Sequence, residues 1–225
     1  MESNNKCHLL GPGKPLSGVN ENTTQEQITS KYNDWAENYE HDVNSLSYAT
    51  PPIAVKAMLG VAEKYGVNKD SKIIDIGAGT GFIGELLKKE GYTKIDAVDI
   101  SQGMLKVAAS KNCYTKLICG GIGNNSLDVP DDEYDALFCI GCISVGHINP
   151  RGISEMLNMI RPGGLYLVTV RWDVGKDEYG CKDEIDALLA HQKMTTVFKQ
   201  KTDNLAATDA DDHGRFCYLY CFTKN

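Results

Sequence analysis

The segment KIIDIGAGTGFIGELLKKEGYTKIDAVDIS, residues 72–101, restricts the fold of this chain more than any other part of the sequence. An apolar run is followed by a glycine-rich turn, a stretch of helical periodicity and a second apolar run that ends in Asp99. This order predicts two parallel strands joined by a helix, because parallel neighbours need a crossover connection. The segment therefore favours an α/β fold whose ligand lies at the carboxyl ends of the strands.

The rest of the chain repeats this alternation. The strand candidates TKLIC, YDALFCIG and LYLVTV are separated by helix candidates, of which ISEMLNMI is followed by Pro162 and two glycines that should end it. Such alternation predicts a parallel sheet with helices on both faces. The last two apolar runs, MTTVFKQK and RFCYLYCFTKN, break the rhythm and predict an antiparallel hairpin at the sheet edge.

The N-terminal part has a different character. Residues 1–24 are rich in Gly, Pro, Asn and Ser without apolar periodicity, so we expect a flexible arm before a single domain over residues 25–225. An amphipathic helix is predicted over residues 25–40. Its apolar stripe consists of Ile28, Tyr32, Trp35 and Tyr39. This aromatic stripe either packs in the core or borders a ligand, and the spacing leaves both possibilities open.

Composition excludes several classes of partner. A chain of 225 residues fits one α/β domain, and 30 acidic against 23 basic residues, a net charge of −7, argue against a nucleic-acid partner. The first residues lack the pattern of a secretory signal and no apolar run is long enough to span a bilayer, so we expect a cytoplasmic protein without a membrane partner. The eight cysteines lie mostly in apolar runs and are expected to be free thiols.

The glycine-rich turn predicts a site for a nucleoside derivative. Gly77, Gly79 and Gly81 allow close backbone approach, and the helix that follows directs its N–H groups into the same space. Asp99, at the end of the second strand, stands where a carboxylate accepts hydrogen bonds from ribose hydroxyls. The simpler alternative is that the glycines only shape the turn and that Asp99 only caps the next helix.

Two kinds of nucleoside cofactor compete for this turn. Gly79, Gly81 and Gly84 satisfy the spacing G-x-G-x-x-G, with Asp99 twenty residues beyond Gly79, as in nicotinamide dinucleotide sites. Asp75, however, stands two residues before the first of the glycines that follow the strand, where a carboxylate would repel a pyrophosphate but would suit an ammonium or a sulfonium. The register therefore favours a cofactor that carries these positive groups.

Several segments resemble the class I S-adenosylmethionine-dependent methyltransferases. IDIGAGTG, AVDIS followed by GMLKVA, YDALFCIG and IRPGGLYLVTV are similar to successive motifs of that family, and YNDWAENYEHDV and LSYATP are similar to a methyltransferase-like branch of it. The resemblance implies an α/β, Rossmann-like three-layer sandwich with a seven-stranded, mostly parallel sheet. Its strand order would be 3-2-1-4-5-7-6 with strand 7 antiparallel, and its cofactor S-adenosyl-L-methionine.

The resemblance also implies positions for the cofactor. It places Gly77 and Gly79 against the methionine moiety, with Asp75 supporting that end, and Asp99 on the ribose. The implied adenine contacts are Ile100, Met104, Gly121 and Ile122, and Ile140 is a further expected cofactor-binding residue. The aromatic residues expected to close over the cofactor are Tyr32, Trp35 and Tyr39. The chain departs from the family where Asn33 replaces a frequent Asp and where two glycines replace an acid that often meets the adenine amine.

Methyl transfer depends mainly on alignment, and a base is needed only when the acceptor must lose a proton. His147, in GCISVGHINP, is the candidate base, with a histidine that only bonds the loop backbone as the alternative. Arg171 and Trp172, at the end of a strand, are expected to face the acceptor, although a salt bridge would explain the arginine equally well. Cys139 and Cys142 form CxxC without a second pair, so no metal site is predicted.

The sequence thus predicts an S-adenosylmethionine-dependent methyltransferase that modifies an N or O nucleophile of a small molecule. The loop GCISVGHINP lacks the Asn/Asp-Pro-Pro-aromatic pattern associated with methylation of nucleic-acid and some protein amino groups. Two alternatives from other classes stay open. One is an S-adenosylmethionine-binding protein without turnover, and the other is a nicotinamide-dependent oxidoreductase.

Overall fold

A computed structural model of the protein describes residues 9, 13–123, 127–144, 146–171, 180–207 and 214–225. The strands in this part of the chain are β1 (Ile73–Ile76), β2 (Ile95–Asp99), β3 (Lys116–Cys119), β4 (Tyr134–Ile143), β5 (Ile160–Arg171), β6 (Met194–Asp203) and β7 (Phe216–Lys224). The helices are α1 (Gln25–Trp35), α2 (Tyr39–Ser45), α3 (Thr50–Ala62), α4 (Phe82–Lys89), α5 (Gln102–Ser110), α6 (Arg151–Met159) and α7 (Cys181–Ala190). Within these described ranges, no helix has the length and apolar character that crossing a membrane requires.

The strands form one sheet in the order β3-β2-β1-β4-β5-β7-β6. The pairs from β3 through β5 are parallel, whereas β7 is antiparallel to both β5 and β6. The predicted fold class and the predicted terminal hairpin are therefore confirmed. Because β1, β2 and β4 run in the same direction, their carboxyl ends meet at one edge of the sheet.

Helices cover both faces of the sheet and give three layers. On β1 and β4, Ile74 and Leu137 pack in the core beneath α6 and α7, while their neighbours Ile73 and Phe138 pack beneath α3 and α4. Successive strand residues point to opposite faces, so both faces of these strands are buried. This double burial explains why the central strands read as unbroken apolar runs.

The N-terminal helical region differs from the prediction. The expected single helix over residues 25–40 is wrong, because α1 ends at Trp35 and α2 begins at Tyr39. The backbone N–H of Asn38 donates to the carbonyl of Trp35 at 3.0 Å, three residues back. This tighter turn separates α1 from α2.

The start of β5 also differs from the prediction. Pro162 and the two glycines after it were expected to separate a helix from a strand, but they lie inside β5. Ile160 pairs with Tyr134, and the regular register resumes at Leu165 after an irregularity. A bulge of this kind accommodates a proline, which lacks the N–H that a ladder needs.

The segment that precedes α1 lies against the domain in its described part. Leu16 is buried and its N–H donates to the carbonyl of Leu9 at 3.1 Å. The Lys31 ammonium, on α1, donates to the carbonyl of Ser17 at 2.8 Å. The predicted domain boundary at residue 24 stays a prediction.

Candidate active site

A large cavity of about 410 Å³ lies at the carboxyl ends of β1, β2 and β4. This volume falls within the usual range for small-molecule sites. The predicted site residues that line it are Tyr32, Tyr39, Gly77, Gly79, Asp99, Ile100, Met104, Ile122, Ile140 and His147. The predicted site residues that are absent from its described lining are Trp35, Asp75, Gly121 and Arg171.

The turn after β1 forms one wall of the large cavity. Gly77 has a φ of +66°, and a Cβ placed on it would lie 2.2 Å from the Cys142 sulfur. No other residue fits this position without displacing Cys142. Gly79 has a φ of +55° and open space beside it, so the backbone there is accessible from the cavity.

Asp99 holds this turn and faces the same cavity. One of its carboxylate oxygens accepts from the N–H of Gly79 and the other from the N–H of Ser101, both at 2.8 Å. Burial raises the pKa of Asp99, and these two hydrogen bonds oppose the rise. Each carboxylate oxygen keeps a further lone pair, so Asp99 can still accept from two hydroxyls of a ligand.

Asp75 lies beneath the turn rather than on the cavity wall. Its carboxylate is buried and accepts from the Tyr114 hydroxyl at 2.6 Å. Burial raises the pKa of Asp75 to about 7, the bond from Tyr114 works against this rise, and the charge of Asp99 adds to it. The structure therefore gives Asp75 a part in supporting the turn, without contact to the cavity.

The sequence left open whether the aromatic residues of α1 and α2 pack in the core or border a ligand, and the structure gives them different surroundings. Tyr32 and Tyr39 line the large cavity, and burial raises the pKa of Tyr39 so that its hydroxyl stays neutral. Trp35 packs with Ile28 and other apolar residues, is 5% exposed, and donates its indole N–H to Asp42 at 2.7 Å. Trp35 is therefore a largely buried core residue that reaches the small cavity described below, whereas both tyrosines also border the large cavity.

One part of the wall of the large cavity is apolar. Ile100, Met104 and Ile122 form it, together with the backbone of Gly120 rather than that of Gly121. A Cβ on Gly121 would lie 1.8 Å from the side-chain nitrogen of Gln25, so the first residue of α1 covers this glycine. A flat aromatic group such as a nucleobase suits these walls.

His147 connects the loop after β4 to α1. Its Nε2 lies 2.8 Å from the Tyr32 hydroxyl, and its Nδ1 lies 2.9 Å from the Ser144 hydroxyl. These contacts join it to two side chains of the cavity wall, which the simple loop-backbone alternative does not account for. Whether His147 acts as a base stays a prediction.

A small cavity of about 90 Å³ adjoins the large one. The residues that line both are Tyr32, Tyr39, Gly141, Ser144 and His147. Arg171, at the end of β5, lines the small cavity. The sequence predicted that this residue faces the acceptor. Trp172 lies outside the described residues.

Of the CxxC pair, Cys142 lines the large cavity and Cys139 does not. Cys139 is fully buried, while the Cys142 sulfur lies 3.5 Å from the carbonyl oxygen of Gly77. The hydrogen bond with Cys139 and burial raise the pKa of the Cys142 thiol, which keeps it neutral. Among the residues that the structure describes, no group of three or more potential metal ligands was found.

Several site residues escaped sequence reasoning. Glu21, Thr23 and Gln25 line the large cavity although they lie in or beside a segment without periodicity. Asn33 accepts from the Ser101 hydroxyl at 2.8 Å and from the N–H of Gly103 at 2.9 Å, so its side chain fastens α1 to the first turn of α5. Of the two ends of this contact, the sequence predicted only the role of Ser101 as the cap of α5.

The charges around the large cavity favour a cationic ligand. Its described lining contains two carboxylates, those of Glu21 and Asp99, and neither Lys nor Arg. A pyrophosphate would meet negative charge there without a compensating cation, whereas an ammonium or a sulfonium would meet opposite charge.

Comparison with known proteins agrees with this geometry. Residues 73–164 match a family described as a methyltransferase domain. Human methyltransferase-like protein 27 is 31% identical over 158 residues, which are 70% of this chain and 62% of that protein. The ubiquinone/menaquinone biosynthesis C-methyltransferase UbiE of Campylobacter jejuni is 32% identical over 155 residues, 64% of this chain and 63% of that protein. The chain therefore spans less than two thirds of the length of either relative.

A solved structure supports the same fold. The structure of the (4+2)-cyclase SpnF matches with a TM-score of 0.66 and 15% identity, over 92% of this chain and 98% of that one. At such low identity the likeness shows the fold alone. Taken together, the matched domain, the relatives and the strand order support a class I S-adenosylmethionine-dependent methyltransferase domain in the matched part of the chain.

Proposed function

We propose that this chain transfers a methyl group from S-adenosylmethionine to a nitrogen or oxygen of a small-molecule acceptor. The observation that carries the proposal is the pair of adjoining cavities, about 410 Å³ and 90 Å³, which share one wall. A large site beside a small one is what a nucleoside cofactor and a compact acceptor require. Methyl transfer from such a cofactor needs the two ligands held in contact and in line.

The described residues fit S-adenosylmethionine. Asp99 would hold the ribose, Gly77 and Gly79 the methionine end, and Ile100, Met104 and Ile122 the adenine. When bound, the cofactor supplies an electrophilic methyl carbon, and its sulfur keeps the electron pair of the broken bond as a neutral thioether. The protein therefore needs no acid for the leaving group, and its part is to orient the ligands and to exclude water.

The small cavity limits the acceptor. Its volume of about 90 Å³ leaves no room for a folded macromolecular segment, and the net charge of −7 disfavours a nucleic-acid partner. Arg171, with Trp172 as a sequence prediction, would contact the acceptor, and His147 would take a proton from it where one must be lost. A cytoplasmic location stays a prediction of the sequence.

Isothermal titration calorimetry tests the cofactor. S-adenosylhomocysteine should bind, whereas NAD should not. Replacing Asp99 by alanine should weaken S-adenosylhomocysteine binding by about tenfold to a hundredfold, since charge-assisted hydrogen bonds are lost. Asp96→Ala is the matched control, because Asp96 lies on the same strand, accepts from the Tyr134 hydroxyl at 2.8 Å and is absent from the described cavity lining. NAD binding equal to that of S-adenosylhomocysteine would contradict the proposal.

A second candidate function is cofactor binding without methyl transfer. The neighbouring SpnF structure is named for a cyclisation, so the fold does not by itself establish the reaction. Transfer of a labelled methyl group from S-adenosylmethionine to a panel of small hydroxyl and amino compounds distinguishes the two. Tight binding without transfer to any member would favour the second candidate.

A further inference from the structure

The apolar part of the large cavity wall suits the faces of a nucleobase but not its edge. Ile100, Met104 and Ile122 line this part, and their side chains carry no strong hydrogen-bonding group. An adenine has a polar edge with an exocyclic amino group and ring nitrogens, and burying these groups without new partners costs affinity. A side chain that hydrogen-bonds this edge would therefore raise both affinity and selectivity.

Gln25, the first residue of α1, has its carboxamide beside this apolar wall. It lines the large cavity, as do Gly120 and Ile122, which flank Gly121 in the sequence. A Cβ built on Gly121 would overlap the side-chain nitrogen of Gln25, and it would lie 3.0 Å from the amide carbon of Gln25 and 3.2 Å from Cγ2 of Ile100. The carboxamide therefore takes the space that a side chain at position 121 would fill, next to one of the apolar residues of the wall.

The first turn of α1 holds Gln25 in this position. The Thr24 hydroxyl accepts from the N–H of Gln27 at 3.2 Å, and Oε1 of Gln27 accepts from the N–H of Thr24 at 2.9 Å, so the turn is capped. Ile28, one turn further along, is buried and lines the same cavity, which orients this face of α1 inward. In the part of the chain that the structure describes, Gln25 meets a side chain only through its backbone carbonyl, which accepts from the Thr29 hydroxyl at 2.7 Å. Its carboxamide is available to a ligand.

A carboxamide is complementary to the amino edge of adenine. It offers an acceptor oxygen and a donor nitrogen, whereas a carboxylate offers acceptors alone. Adenine presents an amino donor beside a ring-nitrogen acceptor, and a glutamine can bind both at once. The amide oxygen and nitrogen exchange places by rotation about the last side-chain torsion, so the ligand sets which atom meets which group. Gln25 can therefore form two hydrogen bonds where the apolar wall forms none.

A second carboxamide, that of Asn149, also lines the large cavity. A Cβ on Gly123 would lie 2.7 Å from its side-chain nitrogen, so this amide lies over that glycine. The three atoms nearest to that Cβ all belong to Asn149, whereas Ile100 supplies one of the three nearest atoms at Gly121. Gln25 is therefore the carboxamide that lies next to the apolar residue directly after the ribose acid, which favours it over Asn149.

We infer that Gln25 recognises the amino edge of adenine in the bound cofactor, with Oε1 accepting from the 6-amino group and Nε2 donating to a neighbouring ring nitrogen. This inference rests on S-adenosylmethionine as the cofactor of the proposed function. It makes α1 part of the base-binding site, because the residue that binds the edge lies in its first turn. Binding of the nucleoside then ties the start of α1 to the segment after β3.

An analogue without the 6-amino group tests this pairing directly. Calorimetry compares S-adenosylhomocysteine with its 6-desamino analogue, in which hydrogen replaces the amino group. The wild type should bind S-adenosylhomocysteine at least about fivefold more tightly, since the analogue loses a hydrogen bond. Gln25→Met keeps the length of the side chain and removes both polar groups, so its preference should fall below about twofold. Gln25→Glu keeps an acceptor for the amino group and should retain the preference.

Two further variants serve as controls. Gln102→Met alters a glutamine that is likewise exposed and first in its helix, α5, but is absent from the described lining of the large cavity. Asn149→Ala removes the competing carboxamide. Both variants should keep the wild-type preference for S-adenosylhomocysteine.

Several results would overturn the inference and leave the proposed function intact. They are equal binding of the two ligands by the wild type, a preference that survives in Gln25→Met, and a preference that Asn149→Ala abolishes. A measurement on the wild-type complex does not depend on the folding of any variant. NOE contacts in NMR spectra should connect the side-chain amide protons of Gln25 to the adenine ring protons, and their absence would also overturn the inference. Failure of the wild type to bind S-adenosylhomocysteine would instead overturn the proposed function.

Discussion

Replacing Trp35 by alanine is expected to destabilise the free protein much more than it weakens cofactor binding. The indole is 5% exposed, packs edge-on against Tyr39 with ring centroids 4.7 Å apart, and donates to Asp42 at 2.7 Å. Truncating a buried tryptophan costs about 3–5 kcal/mol, and losing the bond to Asp42 adds about 1 kcal/mol. The expected loss of ~4–6 kcal/mol corresponds to a Tm decrease of roughly 8–24 °C in a chain of this size.

Urea denaturation of the free protein measures this loss, and calorimetry measures S-adenosylhomocysteine binding. Trp35→Phe separates the two contributions, because it keeps most of the ring and removes only the N–H donor. It should cost about 1–2 kcal/mol. A Trp35→Ala protein with unfolding free energy within about 1 kcal/mol of the wild type and cofactor binding weakened more than tenfold would refute the assignment of Trp35 to the core.

Three further outcomes are expected. Burial raises the pKa of Asp75 to about 7 in the folded protein, above the value of about 4 for an exposed aspartate, so its contribution to stability is present below about pH 4 and is lost as pH rises through 7. The unfolding free energy of Asp75→Asn should therefore rise relative to wild type between those values, and a difference independent of pH would contradict this. Gly77→Ala should abolish S-adenosylhomocysteine binding in calorimetry, with partial recovery on adding Cys142→Ala, because the new Cβ would lie 2.2 Å from that sulfur. Gly66→Ala, where φ is +69° and the nearest atom is 3.8 Å away, should cost only the backbone strain of about 1 kcal/mol. Asn33→Ala should speed hydrogen exchange in α1, whereas Asn33→Asp, which keeps an acceptor for the first turn of α5, should not.

The sequence was a reliable guide to elements whose signals are local. The apolar runs of β1 and β2, the turn between them and the terminal hairpin are each encoded in fewer than about forty neighbouring residues. Asp99 was identifiable as a site residue because strand, turn, helix and acid follow one another in a fixed register. The sequence did not predict the break between the two helices at Asn38. The tight turn there preserves the apolar spacing that suggested one helix.

The role of each aromatic residue depended on contacts between distant parts of the chain. Trp35 and Tyr39 share one apolar stripe and both line the small cavity, yet of the two only Tyr39 also lines the large cavity. Asp75 was placed at the cofactor because it stands two residues before the glycine turn. Its side chain points instead to Tyr114, thirty-nine residues away, which the sequence does not connect with the turn.

The proposed acceptor site is the least predictable part of this protein for the same reason. Tyr48, His147, Arg171 and Leu205 line one small cavity although they are contributed by four separate stretches of chain. Each is unremarkable in its own stretch, and their meeting depends on the bend of β4 at Gly141, where φ is +80° and a Cβ would lie 2.5 Å from the Tyr48 hydroxyl. The cofactor half of the site follows from local turn chemistry that many sequences share. The acceptor half follows from how these separate segments pack, so a change of acceptor can arise there while the glycine turn and Asp99 stay the same.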